Sequence, residues 1–257
     1  MTATQTPDVE PSRVRLSLIR DFSVAIDGMP VEVPPMTQRV ICYVALQAMP
    51  VRRSRVIGAL WADSEESRAC ASLRSALWRL PCEAPVLGVS NSHLWLLDGV
   101  QVDLRDAFTC GATALSGATA DEYVVTLAAE LLSYGQELLP GWYDDWVAVE
   151  RERFRQLRLH ALDKVGDTLL DSGRLWEAIE VAMAAVESEP LRESAHRQLL
   201  RAHLLEGNVS EALREYSSYA RLLRRELNAI PSQALRSLVT PFVLDRHPKR
   251  PEGRPAA

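Results

Sequence analysis

No stretch of this 257-residue chain carries the roughly 18 to 20 consecutive apolar residues that a membrane-spanning helix needs. The longest candidate, Val40 to Met49, is too short and is broken by Gln47. Met1 to Ser12 is polar and lacks the apolar core of a secretion signal, so the expected location is the cytoplasm, with no membrane partner. Cysteine is scarce: Cys42, Cys70, Cys82 and Cys110 form no C-x-x-C pair, and no histidine stands at metal-ligand spacing from them. Small buried or half-buried thiols are expected. The five histidines, His93, His160, His196, His203 and His247, make no H-E-x-x-H array. His196 and His203 would share a helix face too far apart for one metal, so core or surface polar roles account for them. No G-x-x-x-x-G-K-[ST] occurs, which argues against a nucleotide site in this chain. Nothing places two carboxylates in a cleft, so no catalytic residue, cofactor or metal is expected.

Positive charge is not in excess either. The formal net charge of −5 excludes a simple polycationic DNA coat. The distribution is uneven, however. Met36 to Pro81 carries Arg39, Arg52, Arg53, Arg55, Arg68, Arg74 and Arg79 against only Asp63, Glu65 and Glu66. A basic module on an acidic carrier suits a specific DNA binder.

Hydrophobic periodicity divides the chain. Val14, Leu16 and Leu18 alternate, as do Phe22, Val24 and Ile26; Asp27-Gly28 gives a turn and Val31 to Val33 follows, which predicts an antiparallel meander. After Pro34-Pro35, Thr37 is placed to cap a helix with Val40, Ile41, Val44, Ala45 and Ala48 on one face. Pro50 ends it. Ser54 is placed to cap a short helix over Arg55–Trp61, and a longer one is predicted from about Glu65 to Leu80, its apolar stripe Ala69, Leu73, Ala76, Leu77 and Leu80. Val86 to Val89 and Leu94 to Leu97 flank Asn91-Ser92 as a hairpin. The order is that of a winged helix-turn-helix, with the hairpin as wing.

The small, polar stretch Asp106 to Gly117 reads as a domain boundary. Helices are predicted beyond it at Asp121–Leu139, Asp144–Asp171, Leu175–Glu187, Leu191–Glu206, Ser210–Leu227 and Ser232–Val239, before a disordered tail rich in Pro, Arg and Gly. Gly173, Glu177 and Ala178 recur as Gly207, Glu211 and Ala212, each 34 residues on, the TPR period. The fold class is therefore mainly α: an α+β winged helix at 13–105, an all-α TPR-like domain at 106–244 and a tail at 245–257.

Leu138 to Leu162, LLPGWYDDWVAVERERFRQLRLHAL, and Glu189 to Leu227 resemble the bacterial transcriptional activator domain. Leu16 to Gly28, the Pro-Pro before the first long helix, Leu60-Trp61, Ala71 to Leu80 and Val102-Asp103-Leu104 are similar to the OmpR-like winged helix that precedes that domain in the SARP family, the Streptomyces antibiotic regulatory proteins. The resemblance covers about Val14 to Val239. It implies a sequence-specific activator of transcription that binds double-stranded DNA, pairs side by side on direct repeats and recruits RNA polymerase. It also suggests the small, stand-alone form of the family. Two positions depart from the pattern. Pro81 stands where members usually continue the recognition helix with Arg, removing a phosphate contact, and Asn228 stands where Gly is usual.

On this reading the helix near 65–80 enters the major groove. Arg68, Ser72 and Ser75 read bases, joined or flanked by Arg74 and Arg79, which are also placed to clamp phosphates. Thr37, Gln38 and Arg39 sit at a helix N-terminus that favours an anion, and Asn91, Ser92 and His93 form the wing tip. Arg52, Arg53 and Arg55 read as solvated charges or loose phosphate attraction, and Trp78 as a packing residue under the wing or against another subunit. In the helical domain Trp142, Tyr143, Asp144, Asp145 and Trp146 read as a capped helix start docked on neighbouring helices. Arg151, Arg153, Arg155 and Arg158 read with Glu150 and Glu152 as a salt-laced helix surface. The competing reading is a protein-interaction adaptor whose TPR-like groove holds a partner and whose winged helix no longer binds DNA.

Overall fold

The computed structural model describes residues 14–115 and 137–243. The chain forms two compact units, dividing between Arg158 and Leu159. No helix among the described residues is long and apolar enough to cross a membrane.

In the first unit the predicted meander forms as β1 (Val14–Ser17), β2 (Ser23–Ile26) and β3 (Met29–Val31). Asp27 and Gly28 both take positive φ, 48° and 82°, the two-residue turn whose twist matches the strands it joins. That turn pairs Met29 with Ile26, so the third strand starts two residues before the expected Val31. A further strand, β7 (Gln101–Val102), lies parallel to β1 and sets Val102 beside Leu16. The Asp103 carboxylate accepts from the backbone N–H groups of Leu18 (2.9 Å), Ile19 (3.0 Å) and Leu104 (2.7 Å). It ties the end of β1 to the start of α4 (Asp103–Leu115). The stretch read as a boundary, from Asp106, is thus helical as far as Leu115; Ala107 is buried there and Gly111 admits Leu157.

The three expected helices are α1 (Pro35–Ala45), α2 (Arg53–Leu60) and α3 (Glu66–Trp78). Neither expected cap is used. Pro35 occupies the first turn of α1, where its missing N–H costs nothing, and α2 starts two residues early because Arg53 N–H bonds Ser92 O at 2.9 Å. Between α3 and β7 the hairpin β5 (Leu87–Val89) and β6 (His93–Leu96) forms, with β4 (Val51–Arg52) pairing β6 on its other side. Leu16, Leu18, Val40, Ile41, Val56, Leu73 and Leu94 are buried in one apolar core.

Residues 137–158 complete this unit. The last three positions of the helix predicted over Asp121–Leu139 are not helical; the rest of it lies outside the described residues, as does the tail from Arg246. Leu138 instead bridges Ile19, and Arg20 N–H bonds Glu137 O at 2.8 Å. Trp146 meets Tyr43 of α1 edge-on at 5.3 Å, and Trp142 meets Trp146 at 6.3 Å. Arg151 is not surface lacing: its guanidinium donates to the carbonyls of Leu138, Leu139 and Trp142. Arg158 is buried too. Arg153 and Arg155 do pair along the helix, with Glu150 and Glu152.

The second unit takes up the latter part of α5 (Asp145–Asp171), then α6 (Leu175–Ser188), α7 (Glu193–Leu205), α8 (Val209–Leu227) and α9 (Gln233–Val239). The 34-residue repeat is visible in the backbone. Gly173 and Gly207 take φ of 74° and 80°, and the next N–H in each case bonds back to the helix, Arg174 to Leu169 O and Asn208 to His203 O. Ala178 and Ala212 are both buried. Asn228 ends α8 at φ 50°, the left-handed conformation expected of a Gly there. His196 is a core residue, its ring stacked on Tyr219 and its nitrogens against Glu215 and Pro190 O.

Candidate nucleic-acid interface

The helix-turn-helix is built by opposite faces of α3. Ala69, Leu73 and Ala76 are buried against α1 and α2, and Thr37, inside α1, donates its hydroxyl to Ala76 O at 3.0 Å. Burying Ala69, Leu73 and Ala76 turns Arg68, Arg74 and Ser75 outward, all exposed, with Ser72 half-buried between them. Arg79, the residue closing α3, is exposed as well. The helix stops at Trp78 rather than Leu80, before Pro81. Trp78 is 87% exposed, so it does not pack under the wing.

At the wing, Ser90 N–H bonds His93 O at 2.9 Å, which closes the turn and leaves Asn91 and Ser92 exposed. His93 is half-buried, its Nδ1 2.9 Å from the Ser92 hydroxyl. Register places Arg52 directly across from His93, and Arg52, Ser54, Arg55 and His93 line one open cleft of about 450 Å³. Gly88 was not anticipated. A Cβ there would lie 2.1 Å from Trp95 Cε2, so the wing holds its shape only with Gly at that position.

The group at the start of α1 needs correcting. Thr37 is fully buried. Gln38 spends its side-chain amide on Val33 O at 2.8 Å, and the Arg39 guanidinium is paired with the Asp144 carboxylate. These three residues hold the unit together rather than offering donors to an anion. Asp144 was expected as a helix cap; its carbonyl does take the N–H groups of Val147 and Ala148, but its carboxylate serves Arg39.

Electrostatics separates the remaining arginines. Among the described residues Arg52, Arg55, Arg68, Arg74 and Arg79 make no ion pair, although Asp63, Glu65 and Glu66 are close in sequence. In contrast Arg192 pairs with Asp163 at 2.6 Å, Arg201 with Asp167 at 3.1 Å and Arg214 with Glu211 at 2.9 Å. These three arginines of the helical unit are held by its own acids, whereas those of the helix-turn-helix face water. No cluster of three or more His, Cys, Asp or Glu placed to hold a metal occurs among the described residues.

Residues 103–240 match the family model of the bacterial transcriptional activator domain. The chain is 30% identical over 192 residues to the regulatory protein AfsR of Streptomyces coelicolor, covering 71% of this chain and 19% of AfsR. It is 28% identical over 211 residues to AfsR of Streptomyces griseus, covering 78% of this chain and 21% of that protein. It thus spans about a fifth of the length of these curated relatives. A structure of Mycobacterium tuberculosis EmbR in complex with a low-affinity phosphopeptide superposes with a TM-score of 0.70 at 22% identity, over 88% of this chain and 64% of EmbR. That likeness shows a shared fold.

Proposed function

We propose, from the premise that the chain belongs to the SARP family of transcriptional regulators and carries its bacterial transcriptional activator domain, that it acts as a sequence-specific DNA-binding activator. In this reading α3 lies in the major groove. Arg68, Ser72 and Ser75 meet base edges, Arg74 and Arg79 meet base edges or phosphates, and Asn91 and His93 at the wing meet the neighbouring backbone. The observation that carries it is the set of arginines left without acidic partners on the exposed side of the helix-turn-helix, in a chain whose net charge is −5. Unpaired guanidinium groups on one face supply both the counterion release that drives DNA affinity and the bidentate donors that read guanine.

Activation by contact with RNA polymerase, and side-by-side pairing of two copies on DNA, belong to the same proposal. Two exposed apolar side chains in the helical unit support a contact with a protein partner there: Trp176 and Met183, seven residues apart on α6, are 68% and 46% exposed. That feature alone is also what the adaptor reading would need. Selection of genomic DNA fragments by the purified protein at two salt concentrations separates the two. Enrichment of a repeated motif, weaker at higher salt and lost in Arg68→Ala with Arg74→Ala, supports the sequence-specific DNA-binding regulator. Folded protein that enriches nothing at either salt transfers the function to the helical unit and its partner.

A further inference from the structure

Between α2 and α3 lies an open cavity of about 580 Å³, lined by residues that include Arg53, Ile57, Trp61, Cys70, Leu73 and Arg74. Its size falls within the range of small-molecule sites, and so does its make-up, apolar walls with a few polar groups. Two guanidinium groups border it, and among the described residues neither has an ion-pair partner. The carboxylate in the lining belongs to Glu66, and it pairs with neither arginine. The Arg53 Nε–H is withdrawn from solvent and has no hydrogen-bond acceptor. A buried donor left unsatisfied is costly, more so when charged, and a turn of the Arg53 side chain toward an acceptor in the cavity would relieve it.

We infer that this cavity binds a small carboxylate with an apolar body, the carboxylate held by Arg53 and Arg74 and the body packed on Ile57, Trp61 and Leu73. The charge of the lining selects an anion, because a neutral occupant of the same shape would leave both guanidinium groups as they are. The apolar walls select a hydrocarbon or aromatic body over a bare inorganic ion. A guanidinium that grips a carboxylate is held by charge-assisted hydrogen bonds in a fixed fork. Occupancy would therefore take Arg74 away from the exposed face of α3, coupling the ligand to whatever α3 binds.

Cys70 lines the cavity, half-buried, whereas Cys82 is exposed outside it. The two thiols supply a site reporter and an internal control in one molecule. Full-length protein, without DNA, is treated with a maleimide in the presence of octanoate or octanamide, and labelling of the Cys70 and Cys82 peptides is followed by mass spectrometry. The expected result is that octanoate slows labelling of Cys70 and leaves Cys82 unchanged, that octanamide protects neither, and that Arg53→Gln weakens octanoate roughly tenfold or more. Equal protection by octanamide, or none from octanoate at tens of millimolar, overturns the inference. The wild-type comparison of acid with amide stands even where the variant fails to fold. Because no DNA is present, failure here leaves the DNA-binding proposal untouched, and failure to enrich DNA leaves this one untouched.

Discussion

At the scale of single residues, the groups that build the candidate site differ from the groups proposed to touch DNA. Gly88 shows this. The indole of Trp95 crosses its backbone at a distance no Cβ tolerates. Gly88→Ala should therefore distort the wing and cost about 1–3 kcal/mol, the usual penalty of overpacking, read as a fall in thermal midpoint. An unchanged midpoint would mean that Trp95 rotates away freely. Asp103 is the second case. Burial pushes its carboxyl above the ordinary aspartate value, against the lowering effect of three backbone N–H donors. With the folded pKa raised, its contribution to stability is complete below the unfolded value, about 3.9, and declines as pH rises through the folded value. Against Asp103→Asn, which keeps an acceptor and does not titrate, the wild type should hold its largest relative advantage at pH 4 and lose part of it by pH 7. Paired melts across that range check this, and an advantage that grew with pH would reverse the sign. Neither residue was legible as a site residue, because a glycine in a strand and an aspartate at a helix start have many ordinary uses.

At the scale of elements, legibility followed periodicity. The helices over 145–171, 175–188 and 209–227 were expected within a residue or so of their observed ends, because apolar stripes mark them and Gly173, Pro190 and Asn228 stand just past them. The two-residue strand β7 was not, since so short a pairing leaves no alternation to read, and its partner β1 is far away in sequence. The start of α1 misled for another reason. Thr37, Gln38 and Arg39 have the chemistry of an anion site, but tertiary partners at Ala76, Val33 and Asp144 claim all three. The repeat yields a prediction at this scale. Gly173 and Gly207 close equivalent turns at nearly the same positive φ with open space around them, so Ala at either position adds backbone strain alone. Each substitution should cost about 1–2 kcal/mol, and the two costs should agree. Melting of both variants tests this; a large inequality would mean that the turns are not equivalent. The wing foot yields another. Arg52, opposite His93, and Arg55 lie beside the proposed DNA surface without acidic partners. Arg52→Ala with Arg55→Ala should weaken binding to all sequences alike and flatten the log–log salt slope by about 1 to 2, while leaving the enriched motif unchanged. A changed motif would make them base readers.

At the scale of the whole molecule, the boundary suggested by composition, near residue 106, and the division between compact units, after Arg158, assign residues 106–158 differently. The contacts give a physical reason to weigh the second heavily. Trp146 on Tyr43, Arg39 on Asp144, and the Leu139 N–H on Leu18 O join the 137–158 segment to α1 and to the chain leaving β1. Leu138 and Leu139 belong to the same buried core as Leu16 and Leu18. A fragment ending at residue 105 would bare that apolar surface and leave Arg39 without its counter-charge, whereas a fragment ending at Arg158 keeps both. The shorter fragment should melt non-cooperatively or aggregate, and the longer one should unfold in one cooperative transition. Calorimetry of the two fragments measures this directly. Equal, cooperative melts would show that the winged helix stands alone, with the 137–158 segment a lodger on its surface. Unequal melts would make the unit that carries α3 continuous with the start of the activator domain, so that a partner loosening Trp142 and Trp146 would act on the winged helix through its own core.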